Sequence, residues 1–197
     1  VLNPHKYLII CVVMSQWDAD LHARIAAAIK KHRGAGRSAQ WLADKTAELG
    51  YPISRAQIAN YESGRKKNLD IAELLILAAA LDVPPMVLLY PDLPAGQVEI
   101  IPGRIGTSWV AYLWATGIGP SLTSPAAAPT AGERLIAAVR ERSDLMAELA
   151  HLHVNAGLYG YDAALKASLE SRRTEVAARI SRLNAEIHEA GGVINDA

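Results

Sequence analysis

Three side chains within six residues, Arg55, Gln57 and Asn60, carry flat arrays of hydrogen-bonding atoms, and the basic run Arg65-Lys66-Lys67 follows directly. Such groups bind planar partners through paired hydrogen bonds: Arg offers donors only, whereas Gln and Asn set a donor beside an acceptor. On base edges this matches Arg to guanine and Gln or Asn to adenine, while nearby cations match phosphate oxygens. That is recognition chemistry, with no bond made or broken. No nucleophile-base pair, phosphate-cradling glycine loop or paired carboxylate site stands out in the sequence, so an enzyme is not expected. His151 and His153 lie two apart on a predicted helix, diverge by roughly 200°, and cannot share a metal as an i, i+4 pair does. The single cysteine, Cys11, excludes an internal disulfide, and no Cys/His cluster has zinc-ligand spacing. Neither metal nor cofactor is expected.

These residues need short helices to aim them, and the local signals supply five between Asp18 and Tyr90. Leu21, Ile25, Ala28 and Ile29 repeat at helical spacing behind Asp18 or Asp20 as N-cap, and Gly34 and Gly36 end the run. Ser38 caps a second helix through Trp41, Leu42, Lys45 and Leu49. After the turn Gly50-Tyr51-Pro52-Ile53, Ser54 caps a third, with Ile58 and Tyr61 on its inner face and an end near Ser63-Gly64. Asp70 opens a fourth, and Pro84-Pro85 a short fifth. Ahead of them, the apolar run Tyr7 to Met14 has eight residues, too few to cross a bilayer and without a small-x-small cleavage pattern. It reads as a strand or arm, or as an upstream extension if Met14 is the natural start. Cys11 within it reads as inert packing.

Past Pro91 the texture changes. Gln97 to Ile101 has strand character, Trp109 to Trp114 is a short apolar run, and Gly117 to Gly132 is a Pro-, Ala-, Ser- and Gly-rich linker. Helical period returns at Leu135, Val139, Leu145, Met146, Leu149 and Leu152. After a break near Gly157-Gly160, Leu169, Val176, Ile180, Leu183 and Ile187 carry the alternating spacing of a coiled-coil seam, interrupted by Arg173. Two helices about a short glycine turn predict an antiparallel hairpin, with Tyr159 and Tyr161 packing at its turn. The expected divisions are an N-terminal arm over 1–17, a five-helix domain over 18–92, a connecting segment over 93–132 and the hairpin over 133–192. The fold class is mainly α.

The 197 residues include 20 Lys+Arg against 20 Asp+Glu, and a neutral total argues at first against a polyanionic partner. The charges are not evenly spread. Between Leu21 and Asp70 there are ten basic residues against four acidic, a local excess of six that the rest of the chain offsets. A concentrated excess of this kind is an electrostatic footprint for nucleic acid.

Ser38-Ala39-Gln40-Trp41-Leu42-Ala43, with Ile53 to Lys66 (ISRAQIANYESGRK) and Asp70 to Val83 (DIAELLILAAALDV), resembles the helix-turn-helix of Xre-family, lambda-repressor-like DNA-binding proteins. The resemblance spans about Leu21 to Tyr90. One departure is the ten residues between Ala43 and Ser54, where the family commonly has about five. The stretch Leu74 to Pro102 is similar to actinobacterial Xre-type regulators, some carried by phages, which makes repression the expected action. The resemblance implies that the third helix enters the major groove with Arg55, Gln57 and Asn60 as base readers and Ala56 near a thymine methyl. Ser38 and Ser54 at helix starts, with Arg37, Arg65, Lys66 and Lys67, would hold phosphates. Glu62 is expected to pair with a nearby Arg, since phosphate repels a carboxylate, and Trp41 to pack in the core or at its rim. Double-stranded DNA is the expected partner and the cytoplasm the expected location. A homodimer is expected through Leu169, Val176, Ile180, Leu183 and Ile187. The rival reading is an antitoxin-like or adaptor protein whose C-terminal coiled coil binds a protein partner. A third, a small-molecule sensor, needs a pocket between Val98 and Trp114.

Overall fold

The computed structural model describes residues 4–65, 68–125, 127–158 and 163–194, with backbone alone for 4–15 and 155–158. Lys66, Lys67, Tyr159 and Tyr161 and the side chain of Cys11 lie outside the described residues. The chain is mainly helical, with eight helices and one two-stranded sheet among the described residues. It divides into two compact units, Val1–Tyr112 and Leu113–Ala197.

In the first unit α1 (Pro4–Arg33), α2 (Ala39–Glu48), α3 (Arg55–Glu62), α4 (Ile71–Leu81) and α5 (Pro85–Leu89) enclose one core. Leu42, Ile58, Leu77 and Leu88 are completely buried, with Ile25, Ile29, Ile53 and Tyr61 around them. The helix starts follow the local capping signals: Ser38 Oγ accepts from Trp41 N, and Asp70 shares a reciprocal capping box with Glu73. Helix α1 departs from expectation, because Tyr7 to Met14 continues it in place of a strand or arm. Asp18 and Asp20 are therefore interior helix residues, bonded to His22 and Gln16 one turn away, and neither is an N-cap. A helix already nucleated adds a backbone hydrogen bond for each residue it gains, which overrides the weak strand preference of a β-branched run.

The long connection between α2 and α3 is tied from inside. Gly50 takes φ 85°, and buried Thr46 donates from Oγ1 to Ala43 O at 2.8 Å while accepting from Ile53 N at 3.0 Å. One hydroxyl thus joins the end of α2 to the residue that precedes the α3 cap. Thr46→Val keeps the shape but leaves the Ile53 N–H buried without its acceptor, an expected loss of about 1–3 kcal/mol in urea unfolding. Thr46→Ser is expected to recover most of it.

Strands β1 (Gln97–Ile101) and β2 (Arg104–Thr107) form an antiparallel hairpin, and α6 (Ser108–Ala115) follows. Trp17 Nε1 on α1 donates to Glu99 O at 3.2 Å, so the hairpin packs on α1. In the stretch from Val98 to Trp114, where a small-molecule sensor would need a pocket, Val98, Ile100 and Ala111 are buried.

In the second unit α7 (Ala131–Leu158) and α8 (Ala163–Glu189) lie antiparallel. Arg142 Nε donates to Asn184 Oδ1 at 2.7 Å, and Arg179 and Arg172 each grip a carboxylate across the pair, Glu141 and Glu148. Val176, Ile180, Leu183 and Ile187 are buried, Leu169 is half-buried, and Leu183 and Ile187 pack with Ala138, Leu135 and Leu145 of α7. This changes the reading of that seam as an oligomerisation surface: the same chain covers it. A tethered partner is present at high effective concentration, which favours this intramolecular pairing. Arg173 interrupts the seam as expected, its guanidinium turned to Glu170 and His153.

The Glu141 and Glu148 carboxyls are held below their ordinary range, first by hydrogen bonds from Arg179 and Arg172. A carboxyl lowered on folding stabilises above its unfolded value, and that gain is lost as pH falls through the folded value. The chain is therefore expected to lose melting temperature below about pH 4 at low salt. Because these pairs face solvent, the loss is small and salt-sensitive, and Arg172→Gln with Arg179→Gln flattens it.

Candidate nucleic-acid interface

Helix α3 is short, and its two ends are fixed by different means. At its start Ser54 Oγ accepts from Gln57 N at 3.2 Å, and Gln57 Oε1 accepts from Ser54 N at 3.0 Å and from Ser54 Oγ at 2.9 Å. At its end Glu62 receives two bonds from Arg33 of α1, Nε to Oε1 at 2.6 Å and Nη2 to Oε2 at 2.8 Å. Between them Ile58 and Tyr61 point inward, and the buried Tyr61 hydroxyl donates to Glu73 of α4. The helix is held at its start, its inner face and its end. Arg55, Ala56, Gln57 and Ala59 remain exposed, with Asn60 half-buried beside them.

The structure thus presents Arg55, Ala56, Gln57 and Asn60 on one helix, and Arg55 carries no partner among the described residues. Gln57 is more constrained than the sequence implies. Both lone pairs of its side-chain carbonyl are engaged by Ser54, which leaves the Nε2 donors free. A bidentate bond to adenine requires the carbonyl as well, so Gln57 can reach a base as a donor while the cap is intact. Ser54 N is likewise spent in the box and is not a free donor. Nothing in the residue type of Ala59 singles it out. With Ala56 it gives α3 a low outer profile, and the signal in the sequence is its place three residues from Ala56 on the side away from Ile58.

Among the expected phosphate contacts, Ser38 stands exposed at the start of α2 and Arg65 exposed after α3, with no side-chain partner for Arg65 among the described residues. Arg37 is committed elsewhere. Its Nε donates to Arg33 O at 2.8 Å and its Nη2 to His32 O at 2.9 Å, closing the carbonyl end of α1, and the guanidinium lies 4.5 Å over the Trp41 ring. Trp41 sits at the core rim, partly buried, as its apolar body and polar edge lead one to expect. The Arg33 guanidinium also donates to Gly34 O and Arg37 O, so Arg33 organises the loop before α2 as well as the end of α3. Its hydrogen bonding to Glu62, the larger effect, raises its pKa despite partial burial. The Arg33 partner of Glu62 is legible as a type, and only the packing of α1 identifies which arginine.

No group of three or more His, Cys, Asp or Glu is placed to hold a metal among the described residues, and no described helix is long and apolar enough to cross a membrane. Residues 45–88 match the helix-turn-helix family model, a span that holds the end of α2, the whole of α3 and α4, and most of α5. No curated protein and no solved structure matches the chain. The exposed outer face of α3, its capped start and this match agree, and through residues 45–88 the chain carries a helix-turn-helix domain of the Xre, lambda-repressor-like family of DNA-binding transcription regulators.

Proposed function

We propose that the chain is a sequence-specific repressor of transcription of the actinobacterial or phage-borne type, which reads the major groove with α3 and lowers transcription by occupying its site. The observation that carries the reading is the division of α3: Ile58 and Tyr61 are 0% and 3% exposed, while Arg55, Ala56 and Gln57 face solvent. A reading helix has to bury one side and leave the other bare of partners. In this reading Arg55, Ala56, Gln57 and Asn60 contact base edges, while Ser38, Arg65, Lys66 and Lys67 contact the backbone, Arg37 contributes its charge, and Ser54, whose two donors are spent on Gln57, sets the start of α3 against the backbone without donating to it. Such a target puts the protein in the cytoplasm, on the nucleoid.

A single small head covers limited DNA, and pairing two heads reads half-sites about one helical turn apart. The proposal therefore includes a homodimer. Its support is that Val139 and Met146, a heptad apart on α7, stay 46% and 44% exposed after the α8 seam is closed. Val139→Glu with Met146→Glu is expected to halve the sedimentation mass, and an unchanged mass removes dimerisation through this face.

Selection of bound sequences from a random duplex pool tests the whole reading. A palindromic enriched site supports a paired reader, an asymmetric one supports a single reader, and no enrichment overturns sequence-specific binding. Transcription from a promoter carrying the selected site is expected to fall when the chain is supplied, and a rise overturns the repressor assignment.

A further inference from the structure

The second unit contains a cleft of about 720 Å³ whose loop side runs over 117–125 and 127–130 and whose other side is the first turns of α7. Composition marks this segment as a linker, yet the chain folds back over the helix. Gly117 makes the return possible through its φ of +70°, which other residues rarely adopt; a Cβ there would also meet the Ile136 Cδ1 methyl, the movable end of a partly exposed side chain. The loop wall includes Pro120, Pro125 and Pro129, whose fixed φ stiffens it, and hydroxyls such as that of Ser121, which is bonded within the loop to Thr123 and Ser124. The helix wall presents Glu133, Ala137 and Arg140, spaced i, i+4 and i+7 on one face, with Ile136 beside them.

The charged groups of this cleft are not equivalent. Glu133 accepts from Thr130 N at 2.7 Å and completes the α7 cap, and Arg134 Nη1 donates to Pro129 O at 2.5 Å. Both are occupied in holding the loop. Arg140 has no partner among the described residues, and unlike Arg182, which is also without one, it lines the cleft; Arg142, Arg172, Arg173 and Arg179 of the same unit are bonded. The volume falls within the range of small-molecule sites, roughly 300–1,000 Å³. Such sites have mostly apolar walls and a few polar groups that set orientation.

We propose that this cleft binds a small amphipathic carboxylate, its hydrocarbon body against Ile136 and the proline wall and its carboxylate on Arg140. Guanidinium and carboxylate match as a two-bond fork, and the proline wall reduces the ordering cost of binding.

Calorimetric titration of the intact chain with decanoate, below its micelle concentration, tests the proposal. One saturable site per chain is expected. Acetate, which has the head without the body, and decyltrimethylammonium, which has the body with the opposite head, are each expected to bind at least about tenfold more weakly. Arg140→Ala is expected to weaken decanoate by about tenfold, and Ile136→Trp to remove binding by filling the cleft. Where Ile136→Trp lowers the helix content by circular dichroism, Ala137→Leu narrows the same wall in its place. Absence of saturable decanoate binding overturns the site. Equal affinity for the ammonium, or unchanged affinity in the Arg140 and wall variants, overturns it as well. No DNA enters the assay, so its result is independent of the nucleic-acid reading.

Discussion

Arg33→Ala is expected to cost about 3–5 kcal/mol of stability, the range for stripping one partner from a buried ion pair. The side chains of Arg33 and Glu62 are 14% and 11% exposed, and two bonds of 2.6 and 2.8 Å join them. Removing the guanidinium leaves the carboxylate largely out of water with nothing to replace either bond. Against a typical total of about 5–15 kcal/mol, that is enough to bring the domain near unfolding at ordinary temperatures. Removing both charges with Arg33→Met and Glu62→Leu is expected to return much of the loss, because no uncompensated charge remains. Urea melts of the two variants decide the matter. A cost below about 1 kcal/mol for Arg33→Ala would show the pair behaving as a surface contact. The double variant also separates folding from positioning, since the end of α3 is then no longer gripped by α1 and DNA affinity stays low after stability returns.

The second large effect concerns the reading face. Asn60→Ala and Arg55→Ala are each expected to lower affinity for the selected site by roughly tenfold to a hundredfold, as bidentate base contacts contribute about 1–3 kcal/mol. Affinity for random duplex should change far less. Arg65→Ala is expected to weaken both and to reduce the salt slope by about 0.9 log unit per lost phosphate contact. Similar losses on both DNAs for all three variants would refute the division into base readers and phosphate clamps. Gln57 supplies a sharper comparison, because it has two tasks. Gln57→Ala removes the cap and the reader together. Gln57→Glu keeps an acceptor for Ser54 at the positive end of α3 but loses the Nε2 donors and adds a charge that phosphate repels. The expected result is near-native melting with strongly reduced DNA binding. A Glu variant that binds as well as the parent would restrict Gln57 to capping.

Capping and core are both legible in the amino-acid sequence, for a shared physical reason. Ser38, Ser54 and Asp70 act on backbone groups three residues away, and the Ile58–Tyr61 face repeats with the helix period, so both signals lie within a few residues of the chain. The charge pattern is equally local, a basic excess confined to about fifty residues of a neutral chain. The family match falls inside the stretch marked out by the motif, over residues 45–88.

What the sequence leaves open are choices between partners, and these depend on which surfaces meet. Glu62 asks for an arginine, and the packing of α1 against α3 selects Arg33, 29 residues away. Arg37 is a fitting phosphate ligand by type, yet the carbonyl end of α1 lies within reach and takes it. The α8 stripe is apolar whichever helix covers it, and the tether to α7 makes the cover internal. A Pro- and Ala-rich stretch reads as a linker by composition, and its return onto α7 turns at Gly117, whose φ is +70°. Local hydrogen-bond geometry and periodicity therefore determined where the helices begin and which sides they bury. Tertiary packing decided which charges pair, because each such group had more than one suitable partner and only proximity separates them.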